Sequence, residues 1–195
     1  MEGTNPVNKK IAAAVSGGAV LVLALSGCSS DDSSEKLDSW AKEVCDAVQP
    51  QAKKIEAANA AIQKQTSDNS TPADVKSTDS QAFKDMSEAY KAIGAAVEKA
   101  GEPDVDQGKT KQQNAVKELN TISTSYAGLQ QQVDELDTKN QAKFAEGLKG
   151  IATQLDKLSQ SGSDALKKLE EGDVGKAMAE QKSCQSATTA PATKG

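Results

Sequence analysis

The stretch from Ala115 to Leu136, AVKELNTISTSYAGLQQQVDEL, determines the fold class of this 195-residue chain. Its larger apolar residues recur every three or four positions, with polar and charged residues between them: Val116, Leu119, Ile122, Tyr126, Leu129, Val133 and Leu136. This spacing places one apolar stripe along a helix. We expect the helix to start near Asp106 and to be long enough to span the domain as its central element.

The segments on both sides repeat this pattern. We expect a first amphipathic helix from Glu35, a second from Thr78, a fourth after Thr138, and two shorter pieces around Leu166 and from Asp173. The apolar stripes of the first, second and fourth helices are Leu37, Trp40, Val44, Val48, Ile55, Ala58 and Ile62; Phe83, Met86, Tyr90, Ile93 and Val97; and Phe144, Leu148, Ile151, Leu155 and Leu158. No segment alternates apolar and polar residues as a strand does. The sequence therefore predicts an all-α fold, an up-and-down or irregular bundle of about four main helices plus short C-terminal helices.

Several features interrupt these helices. Pro50 lies inside the first one and predicts a kink or a break, because it removes an amide donor and clashes with the preceding turn. Residues 66–78 are rich in Ser, Thr, Asp and Pro and are expected to form a loop. At Asp137–Asn140 either a break or an uninterrupted helix is compatible with the pattern. Two capping boxes are expected, Thr78 with Gln81 and Thr138 with Gln141.

The N-terminus carries the pattern of an export signal. Lys9 and Lys10 precede an apolar run over residues 11–25, which falls short of the ~20 residues that a membrane-spanning helix needs. The run ends in Leu25-Ser26-Gly27-Cys28, which resembles the bacterial lipobox. The resemblance implies cleavage after Gly27 and a diacylglycerol on Cys28, and two acyl chains suffice for stable anchoring. The alternative is an ordinary secretory signal with a chance cysteine.

The count of cysteines supports this assignment. The chain has three, and an odd number in an exported protein leaves one thiol to be explained. If Cys28 carries the lipid, Cys45 and Cys184 remain as one disulfide pair in an oxidising compartment. A redox or metal site would need a close Cys-x-x-Cys spacing or nearby histidines, and the sequence has neither.

These observations predict the organisation of the chain. Residues 1–27 are expected to be the signal peptide, 28–34 a polar tether, 35–186 a single helical domain and 187–195 a disordered tail. The 168 residues that remain after cleavage are enough for one domain.

Charge and composition exclude several functions. The mature part carries a net charge of −6, all its basic residues are lysine, and aromatic residues are few, so no nucleic-acid partner is expected. Without any histidine, Ser-His-Asp and Cys-His catalysis is impossible, and we expect no enzyme activity, cofactor or metal. The acidic pairs Asp134–Glu135 and Glu170–Glu171 are interpreted as solvated helix charges. Trp40 lies on an apolar stripe and is expected in the core.

The whole chain resembles the small secreted lipoproteins of actinobacteria. The resemblance covers most of residues 9–184 and rests on the lipobox, the polar segment after it, Trp40-Ala41-Lys42-Glu43-Val44-Cys45 and a late cysteine at Cys184. The segments Ala115–Asn120 and Asp137–Phe144 are also similar to that family. It implies a cell-surface helical domain with one disulfide and leaves the activity open.

The sequence thus predicts a lipid-anchored protein on the extracytoplasmic face of the cell membrane. The first functional hypothesis is a non-catalytic interaction or structural module, with an envelope protein or a cell-wall component as its partner. The alternative is a carrier of a small apolar ligand or lipid in a cavity between helices.

Overall fold

The structure is a computed structural model that describes residues 29–65, 70–161 and 164–185. All regular elements in these ranges are helices, which confirms the predicted all-α fold with four main helices and short C-terminal ones. The helices are α1 (Ser29–Gln65), α2 (Pro72–Ala100), α3 (Gly108–Asp134), α4 (Gln141–Ser161), α5 (Asp164–Leu169), α6 (Asp173–Glu180) and α7 (Lys182–Gln185). The predicted signal peptide, Cys28 and the predicted C-terminal tail lie outside the described residues.

Three long helices form the body of the bundle. The middle one, α2, packs along both α1 and α3, so that the chain runs up, down and up again. The fourth helix, α4, contacts α3, while α5 packs on α3 and both α6 and α7 pack on α1. The short helices therefore cover the end of the bundle where α1 begins.

The apolar stripes meet in two separate clusters of buried residues. The disulfide-end cluster consists of Leu37, Trp40, Ala41, Val44, Val97, Ala115, Leu119, Leu169, Val174 and Ala177. The pocket-end cluster consists of Ala58, Ala82, Phe83, Met86, Leu129, Val133 and Ile151. Because each cluster draws on α1, α2 and α3, both ends of the long helices are held by apolar contact. Trp40 is buried, as its position on the stripe predicts.

Between the two clusters, α2 and α3 are joined by polar groups. The Ser87 hydroxyl donates to the Ser123 carbonyl at 2.9 Å, and the Ser123 hydroxyl donates to the Ser87 carbonyl at 2.8 Å. Next to them the rings of Tyr90 and Tyr126 stack with their centroids 5.6 Å apart. Burial raises the pKa of Tyr126 to about 12. These paired hydrogen bonds select one register of α2 against α3, since a shift along the axis would separate both pairs.

The first helix is longer and more continuous than the sequence predicts. It begins at Ser29, so residues 29–34, expected as a tether, are helical. Asp32 and Glu35 are exposed near its N-terminus, where negative charge interacts favourably with the helix dipole. The helix also runs through Pro50 without a break. Apolar packing on both sides of Pro50, at Val44 and at Ala58, stabilises the helical conformation despite the lost hydrogen bond.

The second helix begins six residues earlier than predicted. Its capping box is Thr71 with Asp74 rather than Thr78 with Gln81: the Thr71 hydroxyl accepts from the Asp74 amide, and the Asp74 carboxylate accepts from the Thr71 amide. Pro72 occupies the first helical turn, where a missing amide proton has no cost. Part of the segment predicted to be a loop is therefore the first turns of α2.

The third and fourth helices are separate. The third begins at Gly108, two residues after the predicted start, and it ends at Asp134. The Asp137 carboxylate accepts from the Lys139 amide in the turn that follows. The predicted Thr138–Gln141 capping box is wrong, because the Asn140 side chain accepts from the Lys143 amide at 3.1 Å and caps α4 instead. Asparagine is at least as effective as threonine in this role.

The close contact between Gly175 of α6 and the turn before this helix predicts how an added methyl group would change the stability of the fold. A Cβ built on Gly175 would overlap the carbonyl oxygen of Glu170, a backbone atom that cannot move alone. We expect Gly175→Ala to lower the free energy of unfolding by about 2–3 kcal/mol. Gly150→Ala on α4 is the control, because nothing lies within 4 Å of its added Cβ. In urea denaturation it should raise stability by about 0.5–1 kcal/mol. Equal effects of both substitutions would contradict this account.

Candidate functional site

The first candidate region surrounds the predicted disulfide, which the structure contains. Cys45 on α1 and Cys184 on α7 are bonded, with their Cα atoms 5.0 Å apart across a sequence separation of 139 residues. Cys45 is fully buried. The disulfide therefore connects the end of the described chain to the first half of α1, beside the disulfide-end cluster.

Polar contacts strengthen this connection on the surface. Asp46 accepts hydrogen bonds from Lys42 and from Ser183, which is the neighbour of Cys184. The hydrogen bond from Lys42, followed by that from Ser183, holds the pKa of Asp46 below its ordinary value. At the same end, Trp40 Nε1 donates to the carbonyl oxygen of Gly101 at 2.8 Å and ties α1 to the turn after α2.

Two surface depressions flank the disulfide end. The larger one, of about 790 Å³, lies between the start of α1 and the turn from α2 to α3, and Lys36, Trp40, Pro103 and Lys109 line part of it. The smaller one, of about 440 Å³, lies beside the disulfide and includes Val48, Glu170 and Met178. Both open to solvent. The larger depression is lined mainly by polar and charged side chains, whereas the smaller one has a mostly apolar lining that includes Glu170.

The second candidate region is a pocket at the opposite end of the bundle. It has a volume of about 300 Å³ and lies between the last turns of α1, the first turns of α2, and α4. Its walls are almost entirely apolar: Ile62, Val75, Phe83, Leu148, Ile151, Ala152 and Leu155, with Gln65 and Asp79 as the polar members. The pocket opens to solvent much as the depression beside the disulfide does, and its volume lies at the lower end of the range for small-ligand sites. We call it the Asp79 pocket.

Asp79 is the most unusual residue in this pocket. Its side chain is only 8% exposed although it carries a carboxylate. Burial raises its pKa from 3.8 to about 6. Within the described parts of the chain, no group donates a hydrogen bond to Asp79 or forms an ion pair with it. The Asp79 oxygens still reach solvent, because the buried side-chain oxygen without a partner in the described ranges is Gln51 Oε1. A partly desolvated carboxylate is costlier to ionise than an exposed one, and functional sites often contain such groups.

Sequence reasoning missed Asp79 because it placed the start of α2 too late. When the helix begins at Pro72, Val75, Asp79 and Phe83 lie four residues apart on one face. A carboxylate in the middle of an apolar stripe is the signal that would have identified the site. The acidic pairs that the sequence did single out, Asp134–Glu135 and Glu170–Glu171, are exposed.

Neither a metal-binding cluster nor a membrane-spanning helix is present in the described ranges. There, no three side chains of the metal-binding types come together in a way that could hold an ion. No helix in these ranges combines the length and the apolar character that crossing a bilayer requires.

No known protein family, curated protein sequence or solved structure shows significant similarity to this chain. The class of protein is therefore defined by the structure alone. It is an all-α bundle of three long helices, closed at one end by a disulfide and at the other by α4.

The raised pKa of Asp79 predicts how stability depends on pH. The folded state binds this proton more tightly than the unfolded chain, so the ionised form destabilises the fold progressively as pH rises from about 4 to about 6. Asp79→Asn should raise the free energy of unfolding by about 2 kcal/mol at pH 7.5 and change it little at pH 4.

Urea denaturation at both pH values measures this difference. Glu88→Gln is the matched control, because it removes one negative charge from an exposed position on the same helix. It should change stability by less than about 0.5 kcal/mol at either pH. A loss of stability in Asp79→Asn at pH 7.5 would mean that the carboxylate is stabilised when ionised, contrary to this prediction.

Proposed function

We propose that this chain is an exported lipoprotein, anchored through Cys28 to the extracytoplasmic face of the cell membrane. In this proposal the helical bundle is a non-catalytic interaction module, and its partner is an envelope protein or a cell-wall component. The membrane is contacted through the lipid.

The disulfide is the observation that carries this proposal. Bonds of this kind form and persist in oxidising compartments outside the cytoplasm. With Cys45 and Cys184 paired, Cys28 is the single remaining cysteine, and it stands at the end of the apolar run where a lipidated cysteine is expected. The residue count and the pairing therefore agree with one lipid anchor and one structural bridge.

The first helix indicates how the bundle would be oriented relative to the membrane in this proposal. It begins at Ser29, the residue after Cys28, and its 37 residues extend about 55 Å. The disulfide end of the bundle would accordingly lie next to the bilayer and the Asp79 pocket far from it. Such an arrangement presents the distal end of the bundle to the space between membrane and wall.

Exposed charge on the long helices supports an interaction role. Lys99 on α2 pairs with Glu43 on α1 at 3.1 Å, and Lys36 pairs with Asp104 at 3.8 Å, both on the surface at the disulfide end of the bundle. Exposed pairs of this kind contribute little to stability. These side chains make the surface charged, and a partner can be selected there by complementary charge.

Intact mass of the membrane-extracted protein tests the anchor and the bridge together. We expect a chain that starts at Cys28 and carries a diacylglyceryl mass. Two further thiols should become available to alkylation only after reduction. Cys28→Ala is the matched control and should accumulate without the lipid mass. An unlipidated wild-type protein would refute the anchor, and free thiols in the native sample would refute the bridge.

Crosslinking in intact cells tests the interaction role. A photo-reactive residue at the exposed Lys149 of α4 samples the distal end of the bundle, whereas the same residue at Leu119 is buried and serves as the negative control. We expect a discrete protein or cell-wall adduct from position 149 alone. Recovery of nothing beyond bulk lipid would overturn the interaction module.

A further inference from the structure

The Asp79 pocket combines two properties that seldom occur together. Its walls are apolar on three sides, with Ile62 from α1, Phe83 from α2 and Ile151 from α4. Asp79, the one pocket residue with a carboxylate, is 8% exposed as a residue, and the part of the chain that the structure describes offers it no hydrogen-bonding or ionic partner besides solvent. Apolar walls alone would accept any apolar ligand that fits this volume. The Asp79 carboxylate restricts which of these ligands can bind well.

The lining side chains that α1 and α4 contribute to the pocket carry no charge that could balance Asp79. The pocket residues from α1 are Ile62 and Gln65, and those from α4 are Leu148, Ile151, Ala152 and Leu155. None of these side chains titrates. On α2 the nearest lysine in sequence on the same side, Lys76, donates instead to the Leu136 carbonyl at 3.0 Å. The walls of the pocket thus offer no positive partner to the Asp79 carboxylate, which is left with solvent alone.

We propose that this pocket is a binding site for a small cationic amphiphile, a molecule in which one protonated amine is attached to a compact apolar body. The ammonium group pairs with the Asp79 carboxylate, and the apolar body fills the space between Phe83, Ile151 and Leu155. A volume of about 300 Å³ accommodates a ligand of about ten non-hydrogen atoms. The proposal goes beyond the interaction module and does not depend on lipidation of Cys28.

The class of ligand follows from a comparison of a fatty acid, a hydrocarbon and an amine, because only one of them would pair with the Asp79 carboxylate. A fatty acid would place a second carboxylate beside Asp79, and like charges at such a distance repel. A hydrocarbon would fill the space but leave the carboxylate buried and unpaired. An amine supplies both the positive charge and the hydrogen-bond donors, and an ion pair inside an apolar pocket is screened little by salt.

Three probes of nearly equal size separate these alternatives: n-octylamine, 1-octanol and octanoate. Binding to the full chain with its disulfide intact is measured by isothermal titration at pH 7.5. We expect octylamine to bind at least about tenfold more tightly than octanol, and octanoate to bind most weakly. Asp79→Asn should abolish the preference for octylamine over octanol. Because this substitution is expected to stabilise the fold, loss of binding in the variant cannot be attributed to unfolding.

Two further variants and a change of pH complete the test. Glu88→Gln removes a charge from the same helix away from the pocket and should leave all three affinities unchanged. Ala152→Phe should fill the pocket and weaken all three probes alike. Lowering the pH from 7.5 to 5 should weaken octylamine about tenfold, because Asp79, whose pKa is about 6, is then mostly protonated while the amine stays charged.

Several outcomes would overturn the proposal. Equal affinity for the three probes would make the pocket a non-selective apolar space. A preference for octylamine that survives Asp79→Asn would place the binding elsewhere on this acidic chain. Absence of binding by every probe would show that the pocket is closed or is filled by another segment of the protein itself.

Discussion

Replacing Cys45 and Cys184 together by alanine should lower the free energy of unfolding by about 3–5 kcal/mol. The bond closes a loop with a sequence separation of 139 residues, for which the chain-entropy model gives about 5 kcal/mol. It also holds α6 and α7, with eight and four residues, which are too short to be stable helices without tertiary support. Without the bond, we expect these helices to separate from α1 and to expose Val174, which is fully buried in the intact protein.

Urea denaturation with and without a reducing agent measures this effect, using the fluorescence of Trp40 as the signal. Reduction should shift the midpoint of the wild-type protein to lower urea. It should leave the double alanine variant unchanged, because that variant has no bond to break. A wild-type midpoint insensitive to reduction would show that the helical contacts alone hold the C-terminal helices in place.

Trp40→Ala should also lower the free energy of unfolding by about 3–5 kcal/mol. Trp40 is 6% exposed and belongs to the disulfide-end cluster, where its ring packs among residues from α1, α2 and α3. Its indole Nε1 also donates a hydrogen bond to the Gly101 carbonyl oxygen. Truncation therefore leaves a cavity and removes the hydrogen bond that positions the turn after α2.

Trp40→Phe separates the two contributions, because it keeps much of the ring and removes the indole donor. We expect it to cost about 1–2 kcal/mol. Lys53→Ala, at an exposed position of the same helix, is the control and should change stability by less than about 0.5 kcal/mol. Urea denaturation followed by circular dichroism suits all three variants, since the fluorescence signal is lost with the tryptophan. A cost below about 1 kcal/mol for Trp40→Ala would contradict the burial of this residue.

Both predictions concern the end of the bundle next to the proposed anchor. The inferred binding site lies at the other end, where α4 covers the last turns of α1. Loss of the disulfide should therefore leave the Asp79 pocket largely intact wherever the three long helices remain folded. Octylamine titration of the reduced protein at low urea concentration would show whether the two ends respond independently.

The prediction of individual elements depended on how local their determinants are. The apolar stripe that includes Leu119, Leu129 and Val133 identified α3, because one face of a helix is encoded in residues close together in the chain. The start of α2 was wrong because Thr71 and Pro72 stand in a segment whose composition is typical of loops. There, a capping box and a proline at the first turn determine the boundary, and composition does not reveal them.

Local patterns in the sequence are enough to predict the all-α class, four main helices and, through the number of cysteines, the pair that forms the disulfide. These properties follow from periodicity and from counting, which need no knowledge of distant contacts. Contacts between distant segments keep α1 helical through Pro50, divide the core into two clusters and leave Asp79 only 8% exposed beside the pocket that α4 lines. Each of these depends on which helix faces meet, because packing between distant segments can outweigh local propensity and can remove a single carboxylate from water.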